Sequence, residues 1–297
     1  MDINADTLRS VYLGLSTAFN ERLASTPTQY GVVSMTVSSS TAMNEYPRMD
    51  DLPGIREWIG DRLVHDLSAQ TYIIRNKEFE GTIGVKRSAI EDDQLGFYTT
   101  VAAQMGMDAA EFPDQLVWPL WKLGDQTICY DKQNFFDTDH PGFNAEGGEI
   151  SVSNFTAGAG AAWYLVDDTK VVKPMVFQRR KPFKLVSMDR ETDANVFMKG
   201  QYLYGVDGRC NAGFGLWQLA HMSKATLDAT NFKAARDAMG SIRKRNGQII
   251  NIKPTKLIVP QSLEAAAKQV VEAALISGGD SNIWFKACEV VVVPQLG

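Results

Sequence analysis

An α+β chain is what the sequence predicts, on three observations. Two long apolar stripes at helical spacing stand before residue 124. Short β-rich runs broken by Gly- and Asp-rich turns fill 127–223, and helices alternate with strands after that. The 297 residues suffice for one large domain or two ordinary ones. A chain of this size buries roughly three quarters of its unfolded surface without disulfide staples. With 44% hydrophobic and 22% charged residues, the composition is that of an ordinary globular protein and excludes disordered and fibrous classes.

Charge and cysteine usage narrow the partners. The net charge is −5 and the basic residues are scattered, so the electrostatic footprint of a duplex-binding protein is missing. Cys129, Cys210 and Cys288 lie far apart with no CxxC, which points to free thiols in a reducing compartment. The start, MDINADTLRS, is acidic and polar, unlike a signal peptide. No apolar run approaches the roughly 20 residues of a membrane span, so a cytoplasmic place of assembly is expected.

Element by element, residues 6–24 predict a helix capped by Asp6, with Leu8, Val11, Tyr12, Leu15, Phe19 and Leu23 on one stripe. Such a stripe ordinarily packs on the protein's own body, but the polar, aperiodic stretch 25–50 suits an extended arm that would carry this helix away from the main core. Residues 63–86 predict a hairpin turning at Arg75-Asn76-Lys77, with Phe79, Ile83 and Val85 alternating against Glu78, Glu80, Thr82 and Lys86. A lone hairpin is marginal in water, so it must lie on something. Ser88 and Glu91 match a capping box, and Asp108 with Glu111 a second, over a helix at 89–123 that Pro119 should kink or interrupt before Gly124.

The segments TICYD, AAWYLV, VVKPMVFQ, NVFMKGQYLYGV and GFGLWQLAHM read as strands, and 142–162 as a mobile loop. A helix over 230–245, a strand at 257–260, a helix over 262–275 and a strand at 288–294 complete the chain.

Catalytic constellations are weak. Asp137, Asp139 and His140 in FFDTDHP could serve a hard metal, although Asp before Pro141 equally makes a turn. No GxSxG, GxxxxGK[ST] or GxGxxG occurs. The Glu91-Asp92-Asp93 run suits a first helical turn, and Arg243-Lys244-Arg245 a helix C-terminus. The residues point to a structural role rather than an enzyme.

Long segments carry a resemblance. REWIGDR (56–62), NKEFEGTIGVKRSAIEDDQLGFY (76–98), CYDKQNFFDTDHP (129–141), AWYLVDDTKVVKPMVFQRRK (162–181) and NVFMKGQYLYGVDGRCNAGFGLWQLAHMSKATL (195–227) resemble the Mu-like phage major head subunit family. LIVPQSLEAAA (257–267) and the closing VVVVPQL extend it over nearly the whole chain. A glycine is usual in that pattern where Lys132 stands.

The resemblance implies the tailed-phage major capsid fold. On that pattern the N-terminal arm takes 1–55, the extended loop 56–88, and the spine helix with the peripheral domain 89–129. The axial domain takes mainly 130–285, and 286–297 returns as a strand to the peripheral domain. It further implies a virion protein without cofactor or metal, assembled in the host bacterial cytoplasm into pentamers and hexamers that enclose double-stranded DNA. A scaffold, a maturation protease, a portal and a decoration protein are the implied partners.

Inter-subunit contacts are expected at Arg75, Asn76 and Lys77 on the loop tip and near Arg56, Trp58 and Arg62. The alternatives are an encapsulin-like shell protein and a metal-dependent enzyme using Asp137, Asp139 and His140.

Overall fold

A computed structural model describes residues 5–47, 71–92, 95–276 and 279–297. In chain order its first elements are α1 (Ala5–Ser25), β1 (Ser34–Ser38), β2 (Met43–Pro47), β3 (Thr71–Arg75), β4 (Lys77–Lys86), α2 (Arg87–Glu91) and α3 (Leu95–Lys122). Then come β5 (His140–Phe143), β6 (Glu149–Val152), β7 (Phe155–Thr156), β8 (Trp163–Val166), β9 (Met175–Met188), α4 (Ala194–Lys199) and β10 (Gln201–Phe214). The last are β11 (Ala220–Ser223), α5 (Ala229–Gly240), β12 (Lys256–Val259), α6 (Glu264–Val271) and β13 (Glu289–Val292).

Two sheets organise these elements. One has the order β1-β9-β10-β4, the other β13-β12-β8-β11-β7; β2-β3 and β5-β6 form two-stranded pairs.

The stripe on α1 is buried at Leu8, Val11, Leu15 and Phe19. It packs on α3 and the four-stranded sheet of its own chain, with Tyr12 donating to the Leu185 carbonyl at 3.0 Å. The expected arm that leaves the core is therefore corrected for these residues. Close approach makes this packing possible. A Cβ at Gly106 of α3 would stand 2.2 Å from the Phe19 carbonyl oxygen, so only glycine lets the two helices meet there. Asp6 sits inside the first turn of α1 instead of capping it.

The hairpin expected at 63–86 is also corrected over 71–86; its first residues, 63–70, lie outside the described residues. β3 pairs antiparallel with β2, from Met43–Arg75 to Pro47–Thr71, whereas β4 pairs antiparallel with β10. The alternation read on β4 is real: Val85 is buried and Phe79 and Ile83 half-buried, with the intervening polar residues exposed. Its apolar face lies over the core shared with α1 and α3.

The helix expected over 89–123 divides earlier than predicted. α2 begins at Arg87 with Lys86 as N-cap, so Ser88 lies inside the helix and no side chain caps it. α3 then runs unbroken through Pro113 and Pro119. Asp108 merely accepts from Gln104 one turn before it, at 2.7 Å. An interior proline costs about 3 kcal/mol, but Val117, Trp118 and Trp121 are fully buried beside Pro119. Burial of side chains that size contributes about 2–3 kcal/mol each, enough to hold the turn.

In the middle of the chain, NVFMK forms α4, not a strand, and ends at Gly200 in the left-handed conformation (φ 56°). Residues 142–162, expected as a loop, hold the end of β5, its hairpin partner β6, and β7. β9 and β10, with α4 between them in the chain, belong to the four-stranded sheet beside α3. β13 lies next to β12 in the five-stranded sheet. The turn after it, Pro294–Leu296, reaches α3.

The two sheets share one aromatic cluster at the C-terminal end of α3. Trp121 contacts Phe135, Phe136 and Tyr164, and Phe135 stacks on Phe214 of β10 at 4.4 Å.

Candidate functional site

Asp137, Asp139 and His140 do not converge. The Asp137 carboxylate turns back to its own loop, accepting from the Asn134 and Thr138 amides at 3.2 and 2.7 Å. Asp139 points outward and accepts only a long 3.4 Å bond from Gln133. The metal-enzyme reading built on these three residues is therefore corrected. Asp-rich sequence ahead of Pro141 makes a turn, and its carboxylates are used in making it.

His140 instead points inward. Its Nδ1 lies 2.7 Å from Asp131 Oδ2, and neither side chain is exposed. Its Nε2 lies 3.2 Å from Asn154 Oδ1, and its ring stacks on Trp217 at 4.0 Å. Asn154 is itself buried and donates to the carbonyls of Phe135 and Trp217. The Cys129 thiol donates to the other Asp131 oxygen at 3.0 Å.

Cys129, Asp131 and His140 are the one group among the described residues whose donor atoms cluster as metal ligands would, within 4.8 Å. The cluster is already closed by its own hydrogen bonds. Burial, with Asp131 beside it, pushes the Cys129 thiol far above its ordinary range, so it keeps its proton. For Asp131, burial acts upward, but hydrogen bonds and charge from His140, with bonds from Cys129 and the Gln133 amide, outweigh it and hold the carboxyl low. The arrangement is a buried polar knot that ties the 129–140 loop to Trp217. It has no open face toward a reactant.

The predicted contact residues separate. Arg56, Trp58 and Arg62 lie outside the described residues. Arg75 and Lys77 are exposed where β3 gives way to β4. Asn76 is not at a tip: it is half-buried, and its side chain donates to Ser39 Oγ and the Thr41 carbonyl at 3.0 and 2.9 Å. Its partner Gln178 was missed from sequence. The available signal was a glutamine ending the apolar run MVFQ, in the middle of a strand.

The chain matches the family model of the Mu-like prophage major head subunit gpT over residues 8–296. The chain belongs to that family. It is 38% identical to the Mu-like prophage FluMu major head subunit of Haemophilus influenzae, over 92% of this chain and 91% of that one. To the major capsid protein of Escherichia phage Mu it is 37% identical, with 89% of each covered.

Among solved structures, the procapsid of bacteriophage JBD30 matches with a TM-score of 0.89 and 41% identity, covering 99% of this chain and 100% of that chain. The JBD30 capsid matches at 0.77 and 32%, covering 94% of each. The tailed-phage major capsid fold expected from sequence is thus the fold of this major head subunit, and its place is the shell of the virion. No helix among the described residues is long and apolar enough to cross a membrane.

Proposed function

We propose that this head subunit assembles with itself into pentamers and hexamers that close into an icosahedral head around double-stranded DNA. The observation that carries this is the 0.89 match, end to end, to a subunit of a phage procapsid. Heterologous contacts whose rotation closes produce such rings, and many modest contacts per copy let a shell correct errors yet persist. The net charge of −5 fits enclosure: a wall that does not grip phosphates leaves DNA free to be packed and released.

On this reading, α1, α3 and the four-stranded sheet form the peripheral unit, and the five-stranded sheet with α5 and α6 forms the axial one. Arg56, Trp58, Arg62, Arg75 and Lys77 meet neighbouring copies. Scaffold, maturation protease and portal act on or join the shell as separate proteins. One JBD30 capsid is decorated with minor capsid protein trimers, which supports a decoration partner here.

Electron microscopy of the expressed chain, alone and with its scaffold, tests the proposal. Rings, sheets or closed shells are expected, and compact monomers under every assembly condition would sink it.

A further inference from the structure

We propose that Gln178 and Asn76 form a clamp that sets the direction of the β2–β3 ribbon, and that this direction decides whether subunits close into a shell. The inference rests on the assembly reading above and adds to it the residues that position one element.

Gln178 stands in β9 beside Phe177 and is fully buried, a costly place for an amide unless every polar atom is used. Its oxygen accepts from Tyr46 of β2 at 2.9 Å. Its nitrogen donates to the Ile74 carbonyl of β3 at 3.1 Å and to Asn76 Oδ1 at 2.9 Å. One side chain of the central sheet therefore holds both strands of the ribbon and the residue where the ribbon ends.

Asn76 continues the tie. Beyond its bonds to Ser39 and Thr41, its backbone amide donates to the Ala42 carbonyl at 3.0 Å, and Ser39 donates to Asn44 at 2.8 Å. Two further bonds run from β10: Asn211 donates to the Arg75 carbonyl at 2.7 Å, and the Phe214 amide to Tyr72 Oη at 3.2 Å.

Contact is also close. A Cβ on Gly213 would stand 2.4 Å from Ile74 Cδ1, so the ribbon rests directly on β10. The pairing of Pro47 with Thr71 closes the far end of the ribbon. A two-stranded ribbon has little stability or fixed direction of its own. The network at its root supplies both.

The test uses the full chain. Gln178→Leu keeps the volume and removes all three bonds; Leu185→Ala, on the same strand but in the other core, serves as a destabilised control. Hydrogen exchange in the unassembled chain should quicken about tenfold or more at 43–47 and 71–75 in Gln178→Leu and not in Leu185→Ala. Closed shells should give way to open sheets or irregular particles only in Gln178→Leu. Gly213→Val, which wedges the ribbon upward, should reproduce that loss of closure with Gln178 intact.

Normal shells with unchanged exchange in Gln178→Leu overturn the clamp, as does equal failure of the Leu185→Ala control. If the wild-type chain itself never assembles, the assembly reading fails, and the exchange comparison still decides whether the clamp exists.

Discussion

Lys132 adopts φ 72°, a left-handed conformation that suits glycine and costs other residues about 1–2 kcal/mol. The strain is tolerated because the turn is pinned around it: the Lys132 amide bonds to the Cys129 carbonyl, and the Cys129 amide to the Gln133 carbonyl at 2.8 Å. That turn places Asp131 under His140. Lys132→Gly should stabilise the protein by about 0.5–1 kcal/mol, the relief of strain less the extra freedom glycine gains when unfolded. Urea unfolding of the two forms measures it, and an unchanged or lower midpoint would contradict the account. The family resemblance, in which glycine is usual at this position, made this visible from sequence; spacing alone did not.

At the scale of elements, the α1–α3 contact turns on one missing methyl. Gly106→Ala would push a Cβ to 2.2 Å from a backbone oxygen, which a helix cannot move aside as a side chain could. A loss of about 2–3 kcal/mol is expected. Gly14→Ala on the open face of α1, with nothing within 4 Å, should instead gain about 1 kcal/mol. Thermal melts of both variants check the opposite signs.

The apolar stripe of α1 was legible because it follows the helical period from Leu8 to Leu23. Its destination was not, since whether residues 25–50 fold back depends on β1 pairing with β9, a contact of residues far apart in sequence. The same limit explains the hairpin error. Alternation identified β4 as a strand, but its partner β10 is remote, and nothing local distinguishes a turn at Asn76 from a change of sheet. Local pattern also failed at FFDTDHP, where three ligand-type residues in sequence give one inward ring and two turn-forming carboxylates. The true neighbours of His140 are Asp131 and Asn154, brought there by the fold.

Over the whole molecule, buried ionisable groups predict how stability changes with acidity. Burial lowers His221 to about 4, below its ordinary 6.5. Between those values the unfolded chain binds a proton that the folded chain does not, so stability falls as pH drops from about 6.5 to 4, by about 3 kcal/mol in all. Asp131 is shifted the same way and acts in the same direction of pH. Its carboxyl is held low, so the stability it lends is present above the ordinary carboxylate range and is lost as pH falls through its folded value. Urea midpoints should therefore decline from pH 6.5 downward. In His221→Gln the decline should begin only near pH 4; an unaltered onset would show that His221 is not responsible.

The parallel pairing of Ser34 with Met175 has a consequence in time as well as space. At about 5–20 residues per second of synthesis, the roughly 140 positions between these strands take on the order of ten seconds or more to emerge. For that interval the first strand lacks its mate, and the first helix shows its oily side until the later helix and strands are made. A nascent copy is therefore unfit to recognise a neighbour before most of it has left the ribosome. Such late closure separates folding from polymerisation by the order of translation itself.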